Sequence, residues 1–162
     1  VLTPGKNPRP FPSLTAMADT IIANWRTLVQ PEDVVWMIGD TGKDIEVFRD
    51  LPGRLRLVGG NWDGNMREGR FDMFEEVHGC KYLKGLVLTH IPVHPCQVGQ
   101  WVANVHGHLH SRVIPSERYV SVCVDQTQWH PVSRAKINWA LGVPATKRYP
   151  LPLGRSRARI AA

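Results

Sequence analysis

The chain has 162 residues, 43% of them hydrophobic, which suits one compact domain with a substantial core. No window approaches the roughly 20 continuous apolar residues of a membrane span, and "VLTPGKNPRP" at the start lacks the apolar stretch of a secretory signal. The expectation is therefore a cytoplasmic protein without membrane contact. Three cysteines, Cys80, Cys96 and Cys123, form no C-x-x-C pair, which argues against a disulfide framework and against a closed thiolate zinc site. The formal net charge is +6, and part of the excess lies in "KRYPLPLGRSRARIAA" at the end.

Residues 1–12 are rich in Pro and polar groups and read as an irregular lead-in. Ser13 has the character of an N-cap. From Leu14 to Val29 the apolar residues Leu14, Met17, Ile21, Ile22, Trp25, Leu28 and Val29 recur at helical spacing, with Pro31 beyond. "DVVWMIG", 33–39, predicts a buried strand ending at Gly39-Asp40. "DIEVFRDL" predicts a short helix, and "RLRLVGG", 54–60, a second strand ending at glycines. Residues 67–77 are expected to be helical. "LKGLVLTH" predicts a strand ending at His90, and "QWVANVHGHLH" one that runs into its histidines. "RYVSVCVD" alternates like a strand and leads to Asp125, and "PVSRAKINWAL", 131–141, predicts a last helix. This order predicts a layered α/β domain over 13–142 with mixed sheets. Residues 143–162, with Lys147, Arg148, Arg155, Arg157 and Arg159, read as a flexible basic tail able to touch nucleic acid weakly.

Four predicted strands end in residues that bind metals: Asp40, Asn61, His90, and the cluster His106, His108 and His110. Strand ends in layered α/β proteins converge on one edge, where ligand sites form. A lone Gly-Asp or Gly-Asn usually marks a turn. Three imidazoles in "HGHLH" are more specific, and the ordered set is more specific than any member. His108 and His110 stand two apart, so a strand would turn both to one face, with His106 beside them unless Gly107 distorts it. Oxygen and imidazole donors together suit a divalent ion, with Mn first and Fe, Zn or Ni as alternatives.

These residues resemble the calcineurin-like metallophosphoesterases, in particular the small single-domain type of bacteria and phages. That family's pattern runs D-x-H, G-D, G-N-H-D/E, a lone His, then G-H-x-H. Here "IGD", "GGNWD", "LTHIP" and "HGHLH" stand in that order, and the likeness covers roughly residues 9 to 140. The resemblance implies a four-layer α/β/β/α sandwich of two mixed sheets flanked by helices, with one or two divalent ions per chain. It implies that Asp40 bridges two ions, that Asn61, His90 and His108 complete one, and that His110 binds the other. Asp40, Asn61 and Asp63 would then serve catalysis, and Asn61, Trp62 and His106 would be candidates for substrate contact. A metal-activated hydroxide would attack the phosphorus of a phosphate ester or nucleotide.

Two departures stand out. No Asp-x-His precedes Asp40. In the family that segment is an interior strand, so its loss is expected to cost stability. Three explanations stay open, a shortened or reorganised N-terminus being favoured over a one-metal enzyme or lost catalysis. Trp62 also replaces the family's histidine. Indole cannot relay a proton, so diesters, including cyclic nucleotides, are the expected substrates, with His94 or His130 as substitute acids. The main expectation is a metal-dependent phosphodiesterase or phosphatase. The alternative is a catalytically impaired module of the same fold that binds nucleic acid or a protein partner.

Overall fold

The computed structural model describes residues 9–42, 45–63, 71–143 and 158–161. The first element is the expected helix α1, Leu14–Leu28, capped by Ser13, whose side chain accepts from the amide of Ala16 at 3.0 Å. Capping supplies one of the partners that a helix start lacks. Strand β1, Val34–Met37, follows, and a 3-10 turn at Ile45–Phe48 leads to β2, Arg54–Val58. Next come β3, Glu76–His78, β4, Cys80–Leu83, and β5, Leu86–Thr89. A short helix α2, Pro95–Val98, precedes β6, Ala103–His106, and β7, Tyr119–Ser121. The chain continues through β8, Val132–Ser133, and α3, Arg134–Ala140, and the last described segment is β9, Ala158–Ala161.

Among the described residues the strands form two sheets. One has the order β3-β2-β1-β9-β8 and the other β4-β5-β6-β7. Both are mixed: β1 is parallel to β2 and β9, β5 is parallel to β6, and β4 is antiparallel to β5. Strand β1 is buried along its whole length, so its two faces feed two cores. Val34, Trp36 and Ile38 join Leu86, Leu88 and Val105 of the other sheet in one core. Val35 and Met37 pack on the opposite side with Trp25 and Val29, Leu55 and Leu57, and Phe74. The amphipathic face of α1 thereby covers the first sheet, with Trp25 only 1% exposed and its indole N–H donating to the carbonyl of Pro52 at 2.7 Å.

Several local expectations are corrected. The window 67–77 was expected to be helical, but Glu76–His78 is a strand parallel to β2, and residues 67–70 lie outside the described residues. Pairing on the edge of β2 overrides a weak helical pattern. The segment before β5 holds an additional antiparallel partner, β4, turned back through Lys84 and Gly85, both at positive φ. The segment 131–141 opens with strand residues before its helix. The largest correction concerns 143–162. Residues 158–161 are no tail but an interior strand, parallel to β1 and antiparallel to β8. Arginine-rich flanks concealed a short stretch, "ARIA", that can complete a backbone ladder. Lys147, Arg148, Arg155 and Arg157 lie outside the described residues. No helix among the described residues is long and apolar enough to cross a membrane.

Candidate metal centre

Parallel pairing sets β1 level with β2, Met37 beside Leu57, and β5 level with β6, Thr89 beside His106. The residues just past these strand ends therefore emerge together. Asp40 follows β1, Asn61 follows β2, His90 follows β5 and His108 follows β6. The ligand-type atoms of Asp40, His90 and His108 all lie within 4.8 Å of one another. Asn61 joins them, its Oδ1 standing 3.0 Å from Nε2 of His90.

His90 is the centre of this group and is 4% exposed. Its Nδ1–H donates to the carbonyl of Ile38 at 2.8 Å, which fixes the tautomer. The Nε2 lone pair then faces Asn61 Oδ1 at 3.0 Å, Asp40 Oδ2 at 3.1 Å and His108 Nδ1 at 3.2 Å. Both oxygens can only accept, so the nitrogen and its two oxygen neighbours share no proton among them. Burial, with His90 alongside, pushes the pKa of His108 below the usual histidine value, so its ring is held neutral. Two oxygens and two imidazoles aimed at one point fit a divalent cation of the Mn, Fe, Ni or Zn series.

The close approach of these loops depends on glycine. Gly39 has φ +74°, and a Cβ there would come within 2.6 Å of the Gly60 backbone and of His90 Nδ1. A Cβ on Gly60 would lie 2.4 Å from the amide and Oδ1 of Asp40. Asp40 itself sits at φ 54°, a costly conformation for a non-glycine residue. Asp63 holds it there. Its carboxylate accepts from the amides of Asp40 at 2.9 Å, Thr41 at 3.0 Å and Gly60 at 2.8 Å, and from the Thr41 hydroxyl at 3.0 Å. Asp63 is 2% exposed and fully engaged, so it positions Asp40 instead of meeting a substrate. The amide of Trp62 donates to Asp40 Oδ1 at 3.0 Å, which orients the other oxygen toward His90. The Trp62 ring is 71% exposed. A pocket of about 350 Å³ opens beside the cluster, lined by Gly60, Asn61, Thr89, His90 and Ile91 among others.

The histidines of "HGHLH" separate. Strand β6 ends at His106, which is 1% exposed, donates from Nδ1 to the carbonyl of Gly107 at 2.9 Å and packs edge-on against Tyr119. It serves the core, not the open face where a substrate would sit. His108 and His110 have φ of 66° and 53°, so the expected shared strand face does not form. His108 turns to His90. His110 turns to Arg9 and Asp125, with Nδ1 3.2 Å from Arg9 Nη2 and 3.7 Å from Asp125 Oδ2. Reading by motif left out both of these partners, because Arg9 sits in an irregular lead-in and Asp125 follows what reads as an ordinary strand. His94 caps α2 beside Cys96, and the ring of His130 lies against the carbonyl of Gln128. Neither belongs to the Asp40–His90–His108 group.

Fold and site together define a mixed α/β protein with two sheets and an Asp–His cluster past its strand ends. No family model matches the chain. It is similar to an uncharacterized protein of Methanocaldococcus jannaschii, 27% identical over 141 residues that span 77% of this chain and 75% of the relative. It is also similar to the crystal structure of a protein of unknown function from Aquifex aeolicus. That match has a TM-score of 0.62 at 19% identity, and covers 80% of this chain and 88% of the other. The structural likeness bears on the fold alone.

Proposed function

We propose that the chain is a metal-dependent phosphoesterase, with phosphodiesters as its favoured substrates, built on the four-layer plan of the calcineurin-like family. The supporting observation is the convergence of Asp40 Oδ2, Asn61 Oδ1 and His108 Nδ1 on the lone pair of His90 Nε2. Such a group is costly to assemble unless a cation neutralises it.

Asp40, Asn61, His90 and His108 would hold a divalent ion, Mn first, which when bound supplies charge neutralisation and activation of water. The chain's own contribution is orientation. Ile38 fixes the ring of His90 and Asp63 fixes the loop of Asp40, as outer partners of ligands commonly do. Burial keeps His108 neutral and able to donate a lone pair. Residue 62 is an indole, whose N–H can donate a hydrogen bond but is too weak an acid to pass its proton to a leaving oxygen. Diesters and esters with good leaving groups therefore fit this site better than alkyl monoesters.

The test is hydrolysis of bis-p-nitrophenyl phosphate with added Mn²⁺. Turnover should disappear with chelator and in His90→Ala and Asp40→Ala. Mn²⁺ binding without turnover on any ester would point instead to a binding module. Absence of Mn²⁺ binding would defeat the site reading altogether.

A further inference from the structure

Arg9 lies four residues before the N-cap of α1, yet its guanidinium reaches the histidine loop. Nε donates to Asp125 Oδ1 at 2.9 Å and Nη2 to Asp125 Oδ2 at 2.8 Å, a two-pronged ion pair. Nη2 also lies 3.2 Å from His110 Nδ1, and Nη1 lies 3.4 Å from the sulfur of Met17. The guanidinium carbon stands 5.5 Å from the ring centroid of Trp129. The side chains of Arg9 and Asp125 are only 15% and 11% exposed. This is a fixed cation in a sheltered place, not a surface arginine sampling solvent.

Its effect on His110 follows from proton counting. Arginine has donors and no acceptor, so Nδ1 of His110 must be the acceptor of that contact. A neutral imidazole that accepts at Nδ1 carries its proton on Nε2. Neither ring nitrogen then has a lone pair left for a metal ion. The backbone reinforces the placement, since the carbonyl of His110 accepts from Gln126 Nε2 at 3.1 Å. His110 is tied to the Arg9–Asp125 pair, whereas His108, two residues earlier, is tied to His90.

We propose that the Arg9 guanidinium, anchored by Asp125, is a built-in replacement for a second metal ion, so that the protein binds one divalent ion per chain. This rests on the metal-site reading above and deepens it. The resemblance gives His110 to a second ion shared with Asp40. The geometry instead gives it to a protein cation. Asp125 balances the charge of the guanidinium, so what Arg9 supplies at His110 is a hydrogen-bond donor in the place of a metal ion.

The experiment is a Mn²⁺ titration followed by elemental analysis and electron paramagnetic resonance. Wild-type protein should saturate at one ion per chain, with the six-line signal of isolated Mn²⁺. Arg9→Ala frees the His110 lone pair and the Asp125 carboxylate beside it, so it should approach two ions per chain. The double variant Arg9→Ala/His110→Ala should return to one. A wild-type stoichiometry of two with exchange-coupled Mn²⁺, or an Arg9→Ala variant that stays at one, would overturn the inference while leaving the metal site standing. No ion bound at all would sink both readings. Should Arg9→Ala fail to fold, ¹⁵N spectra of the wild-type histidines with Zn²⁺ decide the matter. The ring nitrogens of His90 and His108 should shift on loading while those of His110 keep the unmetallated pattern, and a coordinated His110 would refute the proposal.

Discussion

His108 and His110 are separated by one residue but belong to two differently solved electrostatic problems. Around the His90 Nε2 lone pair, a carboxylate oxygen and an amide oxygen that can only accept meet within hydrogen-bond distance, with Nδ1 of His108 beside them. Around His110, the carboxylate of Asp125 already has its cation, Arg9, and the imidazole accepts from the same guanidinium. The first group is incomplete as protein alone. The second is complete. Donor and acceptor accounting, applied side chain by side chain, thus separates a place that wants a ligand from one that does not. Clustering of polar residues, by itself, would have merged them.

The strongest way to break this contrast is to remove what holds the acceptors together. Asp63 accepts four hydrogen bonds from the Asp40 and Gly60 loops while almost wholly buried. Asp63→Ala leaves three backbone amides without that partner, and we expect a loss of about 3 kcal/mol. For a chain of this size that is a fall in melting temperature of roughly 6–12 °C. The variant should also lose Mn²⁺ affinity, because Asp40 at φ 54° would relax from its strained setting. A melting temperature within a degree or two of wild type would mean that other contacts position the loop.

How much of this could be seen in the residues alone depends on the range of the interaction. Helix α1 was legible because its apolar spacing and its Ser13 cap are local. Strands β1, β2 and β5 were legible because buried strands are continuous apolar runs ended by turn residues. Asp40, Asn61, His90 and His108 were placed together by their position after such runs. The bonds that give the site its character are not local. Arg9 reaches Asp125 across 116 positions and Asp63 reaches Asp40 across 23, and no spacing rule connects them. Periodicity also misled at "HGHLH", where positive φ at His108 and His110 sends two rings expected on one face to different partners. Strand β9 was hidden because its local composition is basic, while its place between β1 and β8 is a property of the whole sheet.

A smaller change sharpens the contrast from the other direction. Asp40→Asn keeps the oxygen that accepts from the Trp62 amide and offers an N–H where Oδ2 now faces the lone pair of His90. In the metal-free protein this turns a repulsive approach into a hydrogen bond. We expect a gain of about 1 kcal/mol for the apo form, or roughly 2–4 °C in melting temperature. Mn²⁺ should then reverse the order. At one hundred times its dissociation constant it would stabilise wild type by about 2.7 kcal/mol, and it should leave the variant nearly unchanged. An Asp40→Asn protein that is less stable than wild type in chelator would show that the acceptors do not strain one another.

The mildest test is pH. Burial lowers the pKa of His106, and burial together with His90 lowers that of His108, so in the fold both rings bind protons less readily than in the unfolded chain. The unfolded chain titrates near the ordinary histidine value of about 6.5. Above that value neither state is protonated and the contribution of these rings to stability is complete. As pH falls below it the unfolded state takes up protons first, so stability falls toward the depressed folded values. Denaturant midpoints of the metal-free protein should therefore decline between pH 7.5 and pH 5.5, and His106→Gln should show a shallower slope. His106 lies in the core and binds nothing in this scheme, so its share of the slope should survive saturation with Mn²⁺. The share of His108 should become steeper with metal present, because protons and the ion compete for the same nitrogen. An identical slope with and without Mn²⁺ would separate His108 from the metal and leave the acceptor cluster without its proposed purpose.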